Sequence, residues 1–245
     1  MTQYDQIADQ YKESKQLEIF RIISYTMSKW LGDITGRSVL DLACGEGDGT
    51  RAVKQVGAER VVGVDISEQM IRLAREVEAK QPLGIEYIVR AAQNLGRIGE
   101  FDVVTATFLL NYAQNREDLY DMARTAYQNL RPGCRFLTVN ENSGRAANWS
   151  VEVTERYGFR WDTPVWPLKD GDPMVVTLLY GSNQVTFTIR YFSRETYEWA
   201  LKKAGFKAVH WHDLVLPPGM EPNGGREFWA PFLERKPFTL IECLT

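Results

Sequence analysis

The stretch VLDLACGEGDGT, Val39 to Thr50, constrains this chain more than any other. An apolar run leads into Asp41, and Gly45, Gly47 and Gly49 then alternate with Glu46 and Asp48. Glycine permits positive φ and lets a ligand approach the backbone closely. Where a buried strand meets a helix, such a loop presents amide groups to whatever lies over the strand end. Phosphate often occupies loops of this kind, but the interleaved carboxylates oppose a polyanion. No Gly-Lys-Ser/Thr closes the stretch, so it is not a Walker loop. The glycine spacing also differs from that of a dinucleotide fingerprint. Asp41 and Glu46 make better sense beside an ammonium or sulfonium centre.

The surrounding chain predicts an α/β fold. Residues 5–31 carry apolar side chains at helical spacing, and Gly32 breaks the pattern. Short strands are predicted at 38–42, 60–64, 85–89, 101–106 and 135–140. Helices are predicted between them, ending with 115–130, which RPG at 131–133 should stop. That alternation argues for a largely parallel sheet. Residues 141–173 are aromatic, charged and interrupted. Two strands then follow at 174–180 and 184–191, separated by GSN, a hairpin signal. A helix at 193–204, a strand at 206–211, a helix at 226–235 and a strand at 238–243 complete the pattern. The shift in composition near Glu141 predicts an insertion, residues 141–192, within a single domain of 1–245, with residues 1–35 as an N-terminal cover.

Position then adds chemistry. Asp65 ends VVGVD, where a carboxylate can take two hydrogen bonds from ribose hydroxyls, and GEFDVVTA ends where a substrate could approach. Together with the glycine loop these place a nucleoside with a cationic tail over the carboxyl ends of parallel strands.

In order along the chain, VLDLACGEGDGT, VVGVDIS, FDVVTA and NLRPGCRFL resemble the motifs of class I S-adenosylmethionine-dependent methyltransferases. The resemblance covers residues 36–140 and continues through TYEWALKKAGFKAV and PFTLIEC. YDQIADQY is similar to the cofactor-covering segment of small-molecule members. LLNYAQ and EFWAPFLER look most like natural-product N-methyltransferases of the toxoflavin-biosynthesis type, which implies a role in antibiotic or toxin biosynthesis. The resemblance implies a Rossmann-like seven-stranded sheet with its last strand antiparallel. It also implies S-adenosyl-L-methionine as cofactor and S-adenosyl-L-homocysteine as product. Asp41 and the backbone at Gly45 and Gly47 would meet the methionine portion, Asp41 through its amino group or an ordered water. Asp65 would bind the ribose, Ile66 and Met70 would pack on adenine, and Tyr11 would close over the cofactor tail. Phe108 would border cofactor and substrate. Relatives often carry an acid where Ala91 stands here. Adenine recognition would then pass to Gln93 or Asn94, or to the backbone near Ala92 and water.

The acceptor is less defined. A ring nitrogen with a free lone pair needs little base catalysis, whereas a phenol needs a proton acceptor. Glu141, His210 and His212 are candidate bases, and none forms a defined dyad. Of seven tryptophans, six lie beyond residue 145. Tyr4, Tyr112, Trp149, Phe159, Trp161, Trp166 and Trp229 are candidates for a planar pocket built from residues 1–15, 141–192 and 213–230. The expectation is N-methylation of a small flat heteroaromatic, with an azapteridine-like bicycle implied by the toxoflavin-type resemblance. O-methylation and a noncatalytic nucleoside-binding regulator are the rivals.

Charge and composition bound the partners. Lys plus Arg number 29 and Asp plus Glu 32, so a net charge of -3 gives no case for nucleic acid. No apolar run reaches the length of a membrane span, and no signal-like N-terminus is present. Three scattered cysteines and two histidines predict neither disulfides nor a metal site, and a cytoplasmic location. A small-molecule substrate and a monomer or homodimer are expected.

Overall fold

The computed structural model describes residues 2–142, 154–163, 167–220 and 225–245. The first helical stretch is two helices, α1 (Gln3–Ser14) and α2 (Glu18–Leu31). The chain turns at residues 15–17, where the Leu17 amide donates to the Ser14 carbonyl and Leu17 itself is extended. Helical spacing continues across this break, so periodicity alone does not reveal it.

Five parallel strands follow: β1 (Ser38–Leu42), β2 (Arg60–Asp65), β3 (Glu86–Val89), β4 (Phe101–Thr107) and β5 (Leu130–Glu141). They alternate with α3 (Asp48–Gln55), α4 (Glu68–Lys80) and α5 (Arg116–Gln128). Ser67 caps α4 by accepting from the Met70 amide, and Asn115 caps α5. The RPG turn does not precede β5 but lies inside it. A register shift between Phe101 and Val103 absorbs Pro132 and Gly133, the kind of bulge where proline is tolerated in a sheet.

After an inserted segment come α6 (Arg194–Ala204), β9 (Ala208–Asp213), α7 (Gly225–Arg235) and β10 (Phe238–Leu244). The seven-stranded sheet has the order β3-β2-β1-β4-β5-β10-β9, with β10 antiparallel to both neighbours. This is the Rossmann-like methyltransferase sheet that the motifs implied.

Every residue of β1 is buried, as expected for a strand covered on both faces. Val39, Val61, Val103 and Leu137 pack in one cluster with α2 and α4. Leu40, Val62, Val104 and Phe136 pack in another with α5 and α6. Strand alternation sends neighbours to opposite faces, so one sheet builds both cores. The strand order reverses between β1 and β4, which opens a crevice at their carboxyl ends.

The insertion carries a separate antiparallel sheet of β6 (Phe159–Asp162), β7 (Pro173–Tyr180) and β8 (Asn183–Arg190). β7 and β8 are the predicted hairpin, and β6 is an addition to it. Along β8, Val185, Phe187 and Ile189 are buried while Gln184, Thr186 and Thr188 are exposed. That period of two makes one face apolar and turns it toward the large sheet.

Candidate active site

A cavity of about 830 Å³ lies over the strand ends at the crevice. Asp41 of β1 and the following Ala43, Cys44 and Gly45 lie on its wall, with Asp65 and Ile66 at the end of β2. Phe108 and Leu109 come from the end of β4.

Asp41 is buried and held from two sides. Its Oδ2 accepts from the Thr50 hydroxyl at 2.6 Å, and its Oδ1 accepts from the Thr105 hydroxyl at 2.8 Å. Burial pushes its carboxyl up, and the two threonines and Lys15 oppose that shift. Asp65 accepts from the Gly45 amide at 2.9 Å and the Ser67 amide at 2.8 Å. Burial raises its carboxyl to about 6, against these two hydrogen bonds and with help from Glu46 and Asp41. Each Asp65 oxygen therefore carries one amide and keeps capacity for a further donor.

Ile66 is 49% exposed and lines the cavity, as do buried Met70 and Ala92 and half-buried Ala91 and Gln93. An exposed isoleucine beside a carboxylate at a strand tip is an apolar face waiting for a flat partner. Asn94 does not line the cavity, so Gln93 is the polar side chain beside Ala91 and Ala92.

Ala43 and Phe108 have φ of 57° and 58°, conformations costly for residues other than glycine. Both sit at the carboxyl ends of adjacent strands and line the cavity, a placement typical of strained functional backbone. Neither is marked by residue type.

Gly45 lines the cavity with φ of 56°, but Gly47 does not line it. Gly47 caps α3 with φ of 87°, and a Cβ there would lie 2.5 Å from the Tyr87 hydroxyl and 3.1 Å from Ala74 Cβ. The expectation that Gly47 meets the ligand is corrected: tight packing and a left-handed cap require it. Gly47→Ala should cost about 2 kcal/mol of stability from strain and overpacking. Urea unfolding would measure this, and the variant that folds should retain ligand affinity.

Helix α1 lies across the cavity. Asp5 Oδ1 accepts from the Ser67 hydroxyl at 2.7 Å, which ties α1 to the start of α4. Gln3 exchanges two hydrogen bonds of 3.0 Å with the backbone of Thr188 on β8. The helix is thus strapped between the large sheet's helical layer and the small sheet. Tyr4 and Tyr11 line the cavity, and the Tyr4 and Tyr112 hydroxyls are hydrogen bonded to each other.

Lys15, just after α1, also lines the cavity and lies over the Tyr11 and Phe20 rings. Burial pulls its ammonium down, but Tyr11, Glu46 and Asp48 outweigh burial and hold it above its ordinary value. Sequence reasoning missed this cation, because one lysine in a polar helix carries no spacing signal. Glu46, placed by sequence beside a cation, is buried, has one oxygen without a partner among the described residues and is not part of the cavity wall.

A second, smaller space adjoins the first. Tyr11, Phe20, Phe108 and Tyr112 line both, while Glu141, Phe159 and Trp161 line only the smaller one. The structure therefore brings five of the candidate acceptor residues together: Tyr4, Tyr112, Phe159, Trp161 and Glu141. Trp229 lines neither space. It is buried in a cluster with Tyr157, Phe228 and Phe232, so its predicted pocket role is corrected to core packing. His210 and His212 lie on the edge strand β9 and line neither space. The His212 ring stacks on Trp30 with centroids 3.7 Å apart, and the structure does not bring either histidine to the cavity. Trp149 and Trp166 lie outside the described residues. Among the described residues no cluster of side chains suits a metal, and no helix is long and apolar enough to cross a membrane.

Residues 39–133 match the family model described as a methyltransferase domain. That stretch, less than half of the chain, is similar to a methyltransferase domain. The chain is 36% identical over 131 residues to a demethylmenaquinone methyltransferase of Lactococcus lactis, and 32% identical over 136 residues to a ribosomal protein L11 methyltransferase of Burkholderia multivorans. The matches cover 51% and 56% of this chain but only 49% and 41% of those relatives. Among solved structures, an S-adenosylmethionine-dependent methyltransferase from Clostridium acetobutylicum superposes over 99% of both chains with a TM-score of 0.67. Its identity is 16%, so the likeness is one of fold.

The residues of the cavity fit S-adenosylmethionine. The Asp65 oxygens with spare accepting capacity suit ribose hydroxyls, and exposed Ile66 suits a purine face. Lys15 and Asp41 offer one charge of each sign for an amino-acid tail.

Proposed function

We propose that the chain is an S-adenosylmethionine-dependent methyltransferase that methylates a ring nitrogen of a small planar heteroaromatic. The observation carrying this reading is the aromatic wall, Tyr11, Phe20, Phe108 and Tyr112, shared by the large cavity and the small space beside it. In this reading Asp65 binds the ribose, Ile66 and Met70 cover adenine, and Gln93 reads its edge in place of the missing acid. Asp41, the Gly45 backbone and Lys15 hold the methionine tail. The cofactor supplies a sulfonium methyl. The chain's own task is to align the acceptor and exclude water. Strapped α1 and the small sheet serve as the substrate lid.

The wall of edge-on and tilted rings supports a flat acceptor. Closure of α1 over the cavity supports a small one. The two curated relatives differ in acceptor by name, demethylmenaquinone in one and ribosomal protein L11 in the other, so the acceptor must be read from this chain's own pocket. The toxoflavin-type resemblance directs the search toward azapteridine-like bicycles. Incubation with a heteroaromatic panel and mass-spectrometric localisation of the methyl tests the reading, and methyl found only on oxygen would replace N-methylation by O-methylation. Trp161→Ala should raise acceptor KM by about tenfold or more while leaving S-adenosylhomocysteine affinity unchanged. Equal losses of both affinities would remove Trp161 from the acceptor pocket.

A further inference from the structure

Glu141 closes β5 and is 9% exposed. Its Oε1 accepts one long hydrogen bond, 3.4 Å, from Asn111 Nδ2. Its Oε2 is buried and without a hydrogen-bond partner among the described residues. Among the described residues it is also the one carboxylate lining the small space, whose other walls are aromatic and aliphatic. An apolar chamber with one unsatisfied acceptor calls for a donor that the described residues do not supply.

The size of the space says what kind of donor. It holds about 20 Å³, roughly one water-sized group and far less than a ring. A flat acceptor resting against Tyr11, Phe108 and Tyr112 would offer only its edge to that space. The edge group that satisfies a carboxylate oxygen is an N–H or O–H.

Resting on the methyltransferase reading, we propose that Glu141 recognises the acceptor through a ring N–H or phenolic O–H and takes that proton as the methyl arrives. The acceptor heteroatom forms a bond to the methyl carbon. The carbon–sulfur pair leaves with sulfur, which becomes a neutral thioether. The proton passes to Glu141 Oε2 and then to solvent, and the N–H or O–H electron pair stays on the methylated atom.

The surroundings suit this task. Burial raises the Glu141 carboxyl to about 7, where a general base works well near neutrality. The titratable groups facing it are Tyr112 of the wall and Tyr197 of α6, both held neutral because burial pushes their hydroxyls well up. Tyr11 is raised by burial in the same way. Lys15 lies over the Tyr11 ring but lines the large cavity, not this space.

The test uses the whole chain and matched probe pairs: benzimidazole with 1-methylbenzimidazole, indole with 1-methylindole, and 2-naphthol with 2-methoxynaphthalene. Calorimetry first establishes S-adenosylhomocysteine binding, and its absence would remove the cofactor reading and the inference with it. The complex with S-adenosylhomocysteine should then bind the unmethylated member of at least one pair about tenfold more tightly. Glu141→Leu should abolish that preference. Glu141→Gln can still accept the hydrogen bond, so it should keep the preference but lower kcat roughly 100-fold and flatten the acidic limb of the pH profile. With S-adenosylhomocysteine bound normally, three outcomes overturn the inference. They are no pair binding, equal binding within every pair, and a Glu141→Gln variant with wild-type kcat and pH profile. The pair comparison on the wild-type chain stands even if a variant fails to fold.

Discussion

Asp65→Ala is expected to weaken S-adenosylhomocysteine binding by about 100-fold or more, the loss of two charge-assisted hydrogen bonds to ribose. The substitution also frees the Gly45 and Ser67 amides, which the carboxylate now holds at 2.9 and 2.8 Å. Asp65→Asn separates the two effects. Its amide oxygen can keep one acceptor role, so a loss of about tenfold is expected there. Calorimetry on both variants measures the difference, and an Asp65→Ala dissociation constant within threefold of wild type would refute the ribose assignment. The pH dependence gives an independent check. Burial raises this carboxyl to about 6, and only the ionised form offers both oxygens as acceptors. Affinity should therefore be full above pH 6 and fall as pH drops through it. Asp65→Asn should lose that dependence.

Parts of this site were legible because chemistry and position coincide in the sequence. Strand β1 is Ser38–Leu42 as predicted, since burial on both faces demands an uninterrupted apolar run around Asp41. Asp65 stands out because a carboxylate ends an otherwise apolar strand. The break at residues 15–17 was not legible, because the same apolar spacing serves α1 over the cavity and α2 against the sheet. Nor was β6, because four residues alternating Phe159 and Trp161 with Arg160 and Asp162 are too short a run to stand out within an aromatic, charged segment.

The glycine loop shows a subtler limit. Gly45 and Gly47 share a pattern and a positive φ, yet one borders the ligand cavity and the other accommodates Tyr87. Residue type reports the backbone conformation, and only the neighbours report its purpose. The tryptophan skew misled for the same reason. Trp161 reaches the chamber, whereas Trp229 serves the core beside Tyr157.

Glu141 carries a stability consequence that is separable from its chemistry. In the folded chain burial holds its proton up to about 7, whereas the unfolded chain releases it near the ordinary glutamate value of 4.5. Between those values the folded state binds more protons, so stability must fall as pH rises. The shift corresponds to about 3 kcal/mol between pH 4 and pH 8. Glu141→Gln cannot ionise and escapes this loss. Its constant packing difference from wild type cancels when the two are compared across pH. Other carboxyls such as Asp65 titrate equally in both proteins. Urea unfolding should therefore show wild type losing about 3 kcal/mol relative to Glu141→Gln over that range, and parallel curves would mean that the carboxyl is not buried in solution. A fold that retains a carboxyl at this cost, facing an apolar chamber with one oxygen unpartnered, is under-satisfied on its own. A bound donor would relieve the cost, so the unmethylated probe should stabilise wild type more at pH 8 than at pH 5.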